Sequence, residues 1–509
     1  MMKNGKLIGF LSFFLMIGVC FWACSESERE KPEHTHNWGA WTVTVPATCI
    51  DDGEETRVCA LDASHIETRI FSSPNAHEWQ WAAKISPTIT ADGEDAGVCT
   101  LNASHTTTRT AYAIGTIGLA YQLIDNNTAY SVSKGTVNSG EVFIPAFRLY
   151  NGEYLPVKEI SKQAFFFSYY SMSGFTSISF AKNSQLTSIG SDAFYYARLT
   201  EITLPEGITS IGKSAFGYCV GLTQITLPDS LTSIGETAFF QCYSLTDITL
   251  PKGLTSVGSR AFDSCTSLTE ITLPEGITSI NGAFQYCTGL TEIILPEGIT
   301  SIDYAFTGCT GLTQVTLPES ITSINGAFQY CTGLTEIILP EGLTSIGQYA
   351  FMDCTGLTEI TLPEGITTIG DYTFNGCTSL SEIILPEGIT TIGDYTFYGC
   401  TSLSEIILPG SITSIGESTF YGCTGLTQII LPGSISFIGR SAFRDCTQLT
   451  KITILAVTPP LLQDIYGNKS IYVFQNTSPD LAIKVPAASY AAYIQADGWS
   501  DYWQRISGM

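Results

Sequence analysis

Cys309-Thr310-Gly311-Leu312-Thr313-Gln314-Val315-Thr316-Leu317-Pro318-Glu319-Ser320-Ile321-Thr322-Ser323-Ile324-Asn325-Gly326-Ala327-Phe328 is one period of a repeated text. Its order of apolar and polar positions decides the fold. Leu312, Val315 and Leu317 face one way, with Thr316 between the last two, so this segment reads as a strand with a single buried face. Pro318 ends it, having no amide hydrogen for a further ladder bond. Ile321 with Ile324 forms a second inward segment, and Ala327-Phe328 a third. Leu-Pro returns with prolines at 205, 228, 251, 274, 296, 318, 340, 363, 386, 409 and 432, in steps of 22 or 23 residues, and a fixed period of that size predicts stacked coils. One rung buries about six large side chains worth roughly 1.5 to 3 kcal/mol each, against an ordering cost of about 1.5 kcal/mol per residue. A rung therefore cannot fold alone, and stability belongs to the stack.

The residue after the second segment is Gly212, Gly235, Gly258, Gly347, Gly370, Gly393, Gly416 or Gly439, and in three rungs one residue shorter it is Asn281, Asp303 or Asn325. Glycine, asparagine and aspartate best tolerate positive φ, so a left-handed turn residue is expected there. One cysteine per rung, at 219, 242, 265, 287, 309, 331, 354, 377, 400, 423 and 446, makes a column whose side chains point the same way. Buried free thiols acting as small apolar groups are expected in preference to disulfides.

The pattern Leu-x-x-Ile-x-Leu-Pro-x-x-Ile-x-x-Ile-Gly-x-x-Ala-Phe-x-x-Cys, over residues 157–453, resembles the BspA-like leucine-rich repeats of bacterial and some protist surface proteins. The resemblance implies a β-rich leucine-rich repeat solenoid, curved and right-handed, with a parallel sheet on its concave side and short turns or single helical turns on the other. Residues 113–156, with Gly118-Leu119-Ala120-Tyr121 and Ile144-Pro145, resemble the strand-rich lead-in of such proteins. Residues 454–509 resemble their C-terminal cap, expected to end in a helix with aromatic anchors around Trp499 and Tyr502.

At the N-terminus, Lys3 and Lys6 precede an apolar run from Leu7 to Trp22, the form of an export signal. Ala23-Cys24 resembles a bacterial lipoprotein cleavage box, which implies a signal peptide over 1–23 and lipidation of Cys24. Residues 24–35, with Ser25-Glu26-Ser27-Glu28-Arg29-Glu30, resemble the acidic tether of surface-exported lipoproteins and read equally as a solvated linker. Residues 36–72 and 77–112 form a tandem pair offset by 40: Asp52-Gly53-Glu54 recurs as Asp92-Gly93-Glu94, Cys59 as Cys99 and Ala63-Ser64-His65 as Ala103-Ser104-His105. Threonine and valine alternation predicts short β-hairpin modules. His36, Cys49, Cys59 and His65 are zinc-type ligands, while a Cys49–Cys59 disulfide is the competing use of the same cysteines; the spacing leaves both open.

Charge narrows the function. Lys+Arg number 23 against 47 Asp+Glu, a formal net charge of -24, which excludes nucleic acids and acidic lipid as partners and leaves membrane contact to the lipid on Cys24. All five histidines lie at or before His105, so the repeat array lacks the commonest acid/base group. No catalytic, metal or cofactor constellation is expected in the array. Gly207-Ile208-Thr209-Ser210-Ile211-Gly212-Lys213-Ser214 fits the phosphate-loop expression, but Ile208 and Ile211 belong to the core columns, so the match is read as an accident of the repeat.

What remains is the outward sheet face. Its two columns are Gln224, Asp247, Glu270, Glu292, Gln314, Glu336, Glu359, Glu382, Glu405 and Gln428, and Thr226, Thr249, Thr272, Ile294, Thr316, Ile338, Thr361, Ile384, Ile407 and Ile430. Glu292, Ile294, Glu336, Ile338, Glu359, Glu382, Ile384, Glu405, Ile407 and Ile430 are the candidate partner surface, because exposed isoleucines form an apolar strip that a monomer ordinarily avoids. The expectation is a monomeric, non-enzymatic adhesion protein without a cofactor, lipid-anchored to the bacterial outer membrane, whose solenoid meets host or microbial proteins. A glycan-binding accessory lipoprotein and a passive envelope component are the alternatives.

Overall fold

The structure is a computed structural model and describes residues 38–45, 53–58, 60, 63–71, 79–100, 106–169, 174–463 and 472–509. Cys24, His36, Cys49 and Cys59 lie outside the described residues. Two compact units divide the chain: 1–81 with 97–107, and 82–96 with 108–509.

In the first, Thr42–Val45, Gly53–Val58 and Ile66–Phe71 form an antiparallel sheet in sequence order. The guanidinium of Arg57 lies 4.9 Å and 4.7 Å from the ring centres of Trp38 and Trp41, and that of Arg69 lies 4.2 Å from Trp41. Arg69 also pairs with Glu55 at 2.7 Å. The 40-residue offset carries this pair onto Arg109 and Asp95 in the second unit, where Nε meets the carboxylate at 3.1 Å. A second three-stranded sheet runs Trp79–Ile85, Gly93–Cys99, Thr106–Ala111. The duplicated text thus has a duplicated electrostatic joint.

Within the second unit the lead-in passes into the solenoid without a break in hydrogen bonding. Ala120–Ile124 pairs antiparallel with Ala129–Ser133, which pairs parallel with Glu153–Ile160, and that strand opens the row Ser188–Ile189, Ser210–Ile211, Ser233–Ile234 and Ser256–Val257. Tyr112 stacks on Phe147 with ring centres 4.1 Å apart. Most rungs add a three-residue strand, a two-residue strand and a hydrogen-bonded turn. Glu359, Ile360 and Thr361 lie opposite Glu382, Ile383 and Ile384, so like residues stack on like. Threonines on the solvent side extend the pairing; Thr232 Oγ1 donates to the Thr209 carbonyl at 3.0 Å and Thr223 Oγ1 to that of Thr200 at 2.9 Å.

The two-residue strands form not one sheet but two. One stops at Ser256–Val257, the next starts at Ser323–Ile324, and between them only the Ser279–Ser301 bridge remains. Here lie the short rungs, and side chains replace the missing backbone: Asn281 Oδ1 accepts from the Asp303 amide at 3.0 Å, and Asp303 Oδ1 from the Asn325 amide at 3.1 Å. Residues 281–298 and 325–342 are the same text.

The expected left-handed glycine is not found at that position. Positive φ occurs two residues further on instead, at Ser214, Thr237, Arg260, Tyr349, Tyr372, Tyr395, Ser418 and Ser441. The glycines are needed because coils touch there: a Cβ on Gly235 would lie 2.7 Å from the carbonyl carbon of Gly212 and the amide nitrogen of Lys213. Its own amide donates to the Ile211 carbonyl at 2.8 Å, which fixes the approach. Absence of a side chain, not freedom of φ, is the requirement.

Phenylalanine fills the interior. From Phe165 through Phe194, Phe216 and every later rung to Phe474 the rings stack, with centres 5.0 to 6.2 Å apart. Such offset pairs add about 0.5 to 1.5 kcal/mol beyond burial. The stack ends against Trp499, 5.9 Å from Phe474, whose indole Nε1 donates to the Pro460 carbonyl at 2.7 Å. Tyr493, also fully buried, donates its hydroxyl to the Ala456 carbonyl at 2.7 Å. Among the described residues the cap carries an α-helical segment, Tyr490–Gln495, and a 3-10 helix, Trp499–Arg505, that holds the expected anchors, and a short strand follows rather than a terminal helix. Ile506–Gly508 returns as a short parallel strand beside Ala482–Val485 and forms the last, short edge of that sheet.

Candidate functional site

The cysteine column is the first chemically distinctive feature, and it is structural. All eleven array cysteines are buried and unbridged. Each Sγ donates to the carbonyl of a phenylalanine in the preceding rung, as from Cys309 to Phe284 at 3.1 Å and from Cys354 to Phe328 at 3.0 Å. The thiols are therefore polar links between coils as well as apolar fillers. Burial pushes the Cys219, Cys331 and Cys446 thiols up to about 12 and raises the others too, because a thiolate there would lose its hydration. These cysteines are expected to stay inert to a thiol reagent at pH 8 and to react once denaturant is added; reaction of several in the native protein would contradict the ladder. The linkage sign is fixed. A folded-state value above the unfolded value of about 9 gives stability that is complete below pH 9 and declines as pH climbs toward 12. The denaturation midpoint is expected to fall across that alkaline window.

The outward sheet face is built differently. In each three-residue strand the central side chain is buried and its neighbours are exposed, because successive side chains alternate across a strand. This places Glu292, Ile294, Glu336, Ile338, Glu359, Glu382 and Ile384 on the surface, with Glu405, Ile407 and Ile430 alongside. Ile384, Ile407 and Ile430 occupy adjoining rungs and are 65%, 69% and 57% exposed. Ile294 and Ile338 are equally open but are separated by Thr316, and Ile338 is divided from Ile384 by Thr361. The apolar strip is continuous over three rungs only.

A second acidic row escaped the sequence reading. The glutamate of Leu-Pro-Glu, at Glu297, Glu319, Glu341, Glu364 and Glu387, is also exposed. Glu336, Ile338 and Glu341 line one shallow groove of about 450 Å³ with Glu359, Thr361 and Glu364. Isoleucine and threonine thus form a floor between two rows of carboxylates. The available signal was a missing one: between Arg260 and Arg440 the sequence has eighteen carboxylates and no lysine, arginine or histidine. Asp263, buried in this stretch, takes Arg260 at 2.8 Å and the Ser264 hydroxyl at 2.7 Å.

Among the described residues no group of three or more histidine, cysteine, aspartate or glutamate side chains could hold a metal ion. The tyrosines of the turns divide: Tyr286, Tyr304 and Tyr330 are more than a third exposed, whereas three others pack on each other. Tyr349, Tyr372 and Tyr395 stack on one another at 5.2 Å and 4.7 Å, hiding much of each ring face.

Parallel strands in register, one leucine-led strand per turn and a continuous phenylalanine stack define a leucine-rich repeat solenoid. The family model for the BspA-type leucine-rich repeat region matches residues 158–282, 281–383 and 344–472, and the chain belongs to this family. It is similar to a leucine-rich repeat protein from Bacteroides ovatus, with 27% identity and a TM-score of 0.54 over 77% of this chain and 99% of the other. A leucine-rich cell-surface protein from Faecalibacterium prausnitzii is 26% identical over 74% of this chain and 96% of its own, with a TM-score of 0.45. No curated protein matches.

Proposed function

We propose that this chain is a non-enzymatic binding protein of the bacterial cell surface, held by lipid on Cys24, and that the outward sheet face of its solenoid engages an extracellular protein of host or microbial origin. The observation that carries the reading is the open row of Ile384, Ile407 and Ile430, more than half exposed on three adjoining rungs. Glu382–Ile384 is paired with Glu359–Thr361 and Gln428–Leu431 with Lys451–Ile454, so recognition on those rungs falls to side chains. Membership of the BspA-type family supports the location.

Catalysis by proton transfer has little to work with, since the array has no histidine. Glycan binding is the weaker reading because stacked rings such as Tyr372 and Tyr395 offer edges where a sugar needs an open face. The full chain, immobilised and offered extracellular matrix proteins, bacterial surface proteins and a glycan array, is expected to retain protein and to lose it when Ile384 and Ile407 are changed to serine. Retention of glycans alone would reverse the ranking. Cys24→Ser is expected to release the protein from the membrane fraction, and unchanged partition would remove the lipid anchor from the proposal.

A further inference from the structure

The groove between the two carboxylate rows specifies the chemistry of the partner, an inference that rests on the binding function proposed for this face. We infer that the face from Glu292 to Gln428 is a track for an extended, lysine- and arginine-rich polypeptide segment that alternates cationic and apolar side chains.

Three observations carry this. The first is charge without a counterpart. The buried acid Asp263 has an arginine, whereas Glu336, Glu359, Glu382 and Glu405 follow one another on successive rungs with no cation in the intervening sequence. Glu359 lies directly opposite Glu382, and like charges so placed repel across strands about 4.8 Å apart. A solvated face would be better served by mixed signs, and this surface holds one sign over many rungs. The second is the apolar floor. Ile338 and Thr361 lie within the same groove as Glu341 and Glu364, so a ligand neutralising the rows also meets hydrocarbon. A small inorganic cation would use the carboxylates and leave that floor wet. The third is spread. The carboxylates form rows, and none of the described acids cluster as a metal site, which suits a charge string rather than a chelated ion.

Geometry sets the size of the occupant. Six rung steps separate Glu292 from Gln428, about 29 Å at the usual strand spacing, and an extended chain covers that with about nine residues. Within each strand pair, as between Gln314–Thr316 and Glu336–Ile338 or Glu359–Thr361 and Glu382–Ile384, the amides point along the stack and are engaged. The occupant lies across the strands and is held by its side chains. Polyanions, including sulfated polysaccharides, are repelled.

The test uses the full chain and labelled nonapeptides read by fluorescence anisotropy: alternating Lys-Leu, alternating Lys-Ser and alternating Glu-Leu. Lys-Leu is expected to bind at least tenfold more tightly than Lys-Ser, and Glu-Leu not at all. The triple variant Glu341→Gln, Glu359→Gln, Glu364→Gln is expected to weaken Lys-Leu at least tenfold. A control with the same loss of charge elsewhere, Glu141→Gln, Glu153→Gln, Asp480→Asn, is expected to change it less than threefold. Equal weakening by the two triples would mean bulk charge alone and overturn the inference. So would spermidine or calcium competing at concentrations below those set by simple screening. If the groove triple leaves capture of protein partners intact while peptide binding is absent, this inference fails and the binding function stands. If neither peptide nor any protein is retained, both fail.

Discussion

Phe328→Ala is expected to cost about 3 to 5 kcal/mol, the range for truncating a fully buried aromatic. Phe328 is stacked 5.6 Å from Phe306 and 5.7 Å from Phe351, and the cavity left behind has ordered neighbours on both sides that cannot close over it. Because each rung is stable only through its neighbours, the lesion also weakens the coupling between the two halves of the array. Chemical denaturation should show a lower midpoint and a shallower slope, as the two halves begin to unfold apart. A loss under about 1 kcal/mol with an unchanged slope would show that the ring stack is not what joins the rungs.

Gly235→Ala is expected to be nearly as damaging for the opposite reason. The added methyl would sit 2.7 Å from backbone atoms of Gly212 and Lys213, which cannot move without parting two coils. Overpacking of this kind costs about 1 to 3 kcal/mol, and a valine more. Gly410→Ala is the control: its Cβ meets nothing within 4 Å and its φ is not positive, so a neutral or slightly stabilising effect is expected. Thermal unfolding of the pair checks the contrast, and equal melting temperatures would contradict the close-approach account.

The inward columns were legible because burial is written in residue type. Leu312, Val315, Leu317, Ile321, Ile324 and Phe328 are all buried as the alternation predicts. The glycines misled because that residue answers two needs, a left-handed backbone or a lack of side chain, and the text is the same for both. Only the neighbouring coil distinguishes them, and it comes from 23 residues earlier for Gly235 against Gly212. The thiol bonds were hidden likewise, since the acceptor of Cys309 is the backbone carbonyl of Phe284. On the outward face, Glu292 and Ile294 were readable from strand alternation, whereas Glu341 and Glu364 follow the proline that ends the strand, where alternation no longer assigns a face. Their shared groove with Ile338 is a relation between elements that periodicity along one rung does not express.

Residues 281–298 and 325–342 are one text used twice, and nothing inside those two coils records their ordinal place. The ends mark the limits: the lead-in strand Glu153–Ile160 tells the chain where to start, and Trp499 with Tyr493 tells it where to stop. The molecule therefore carries no ruler. Whole coils can be gained or dropped in the course of descent while both terminators still fit, and each change lengthens or shortens the row of charges and isoleucines by one unit. Reach and grip can be adjusted in integer steps, with no new folding problem to solve at each step.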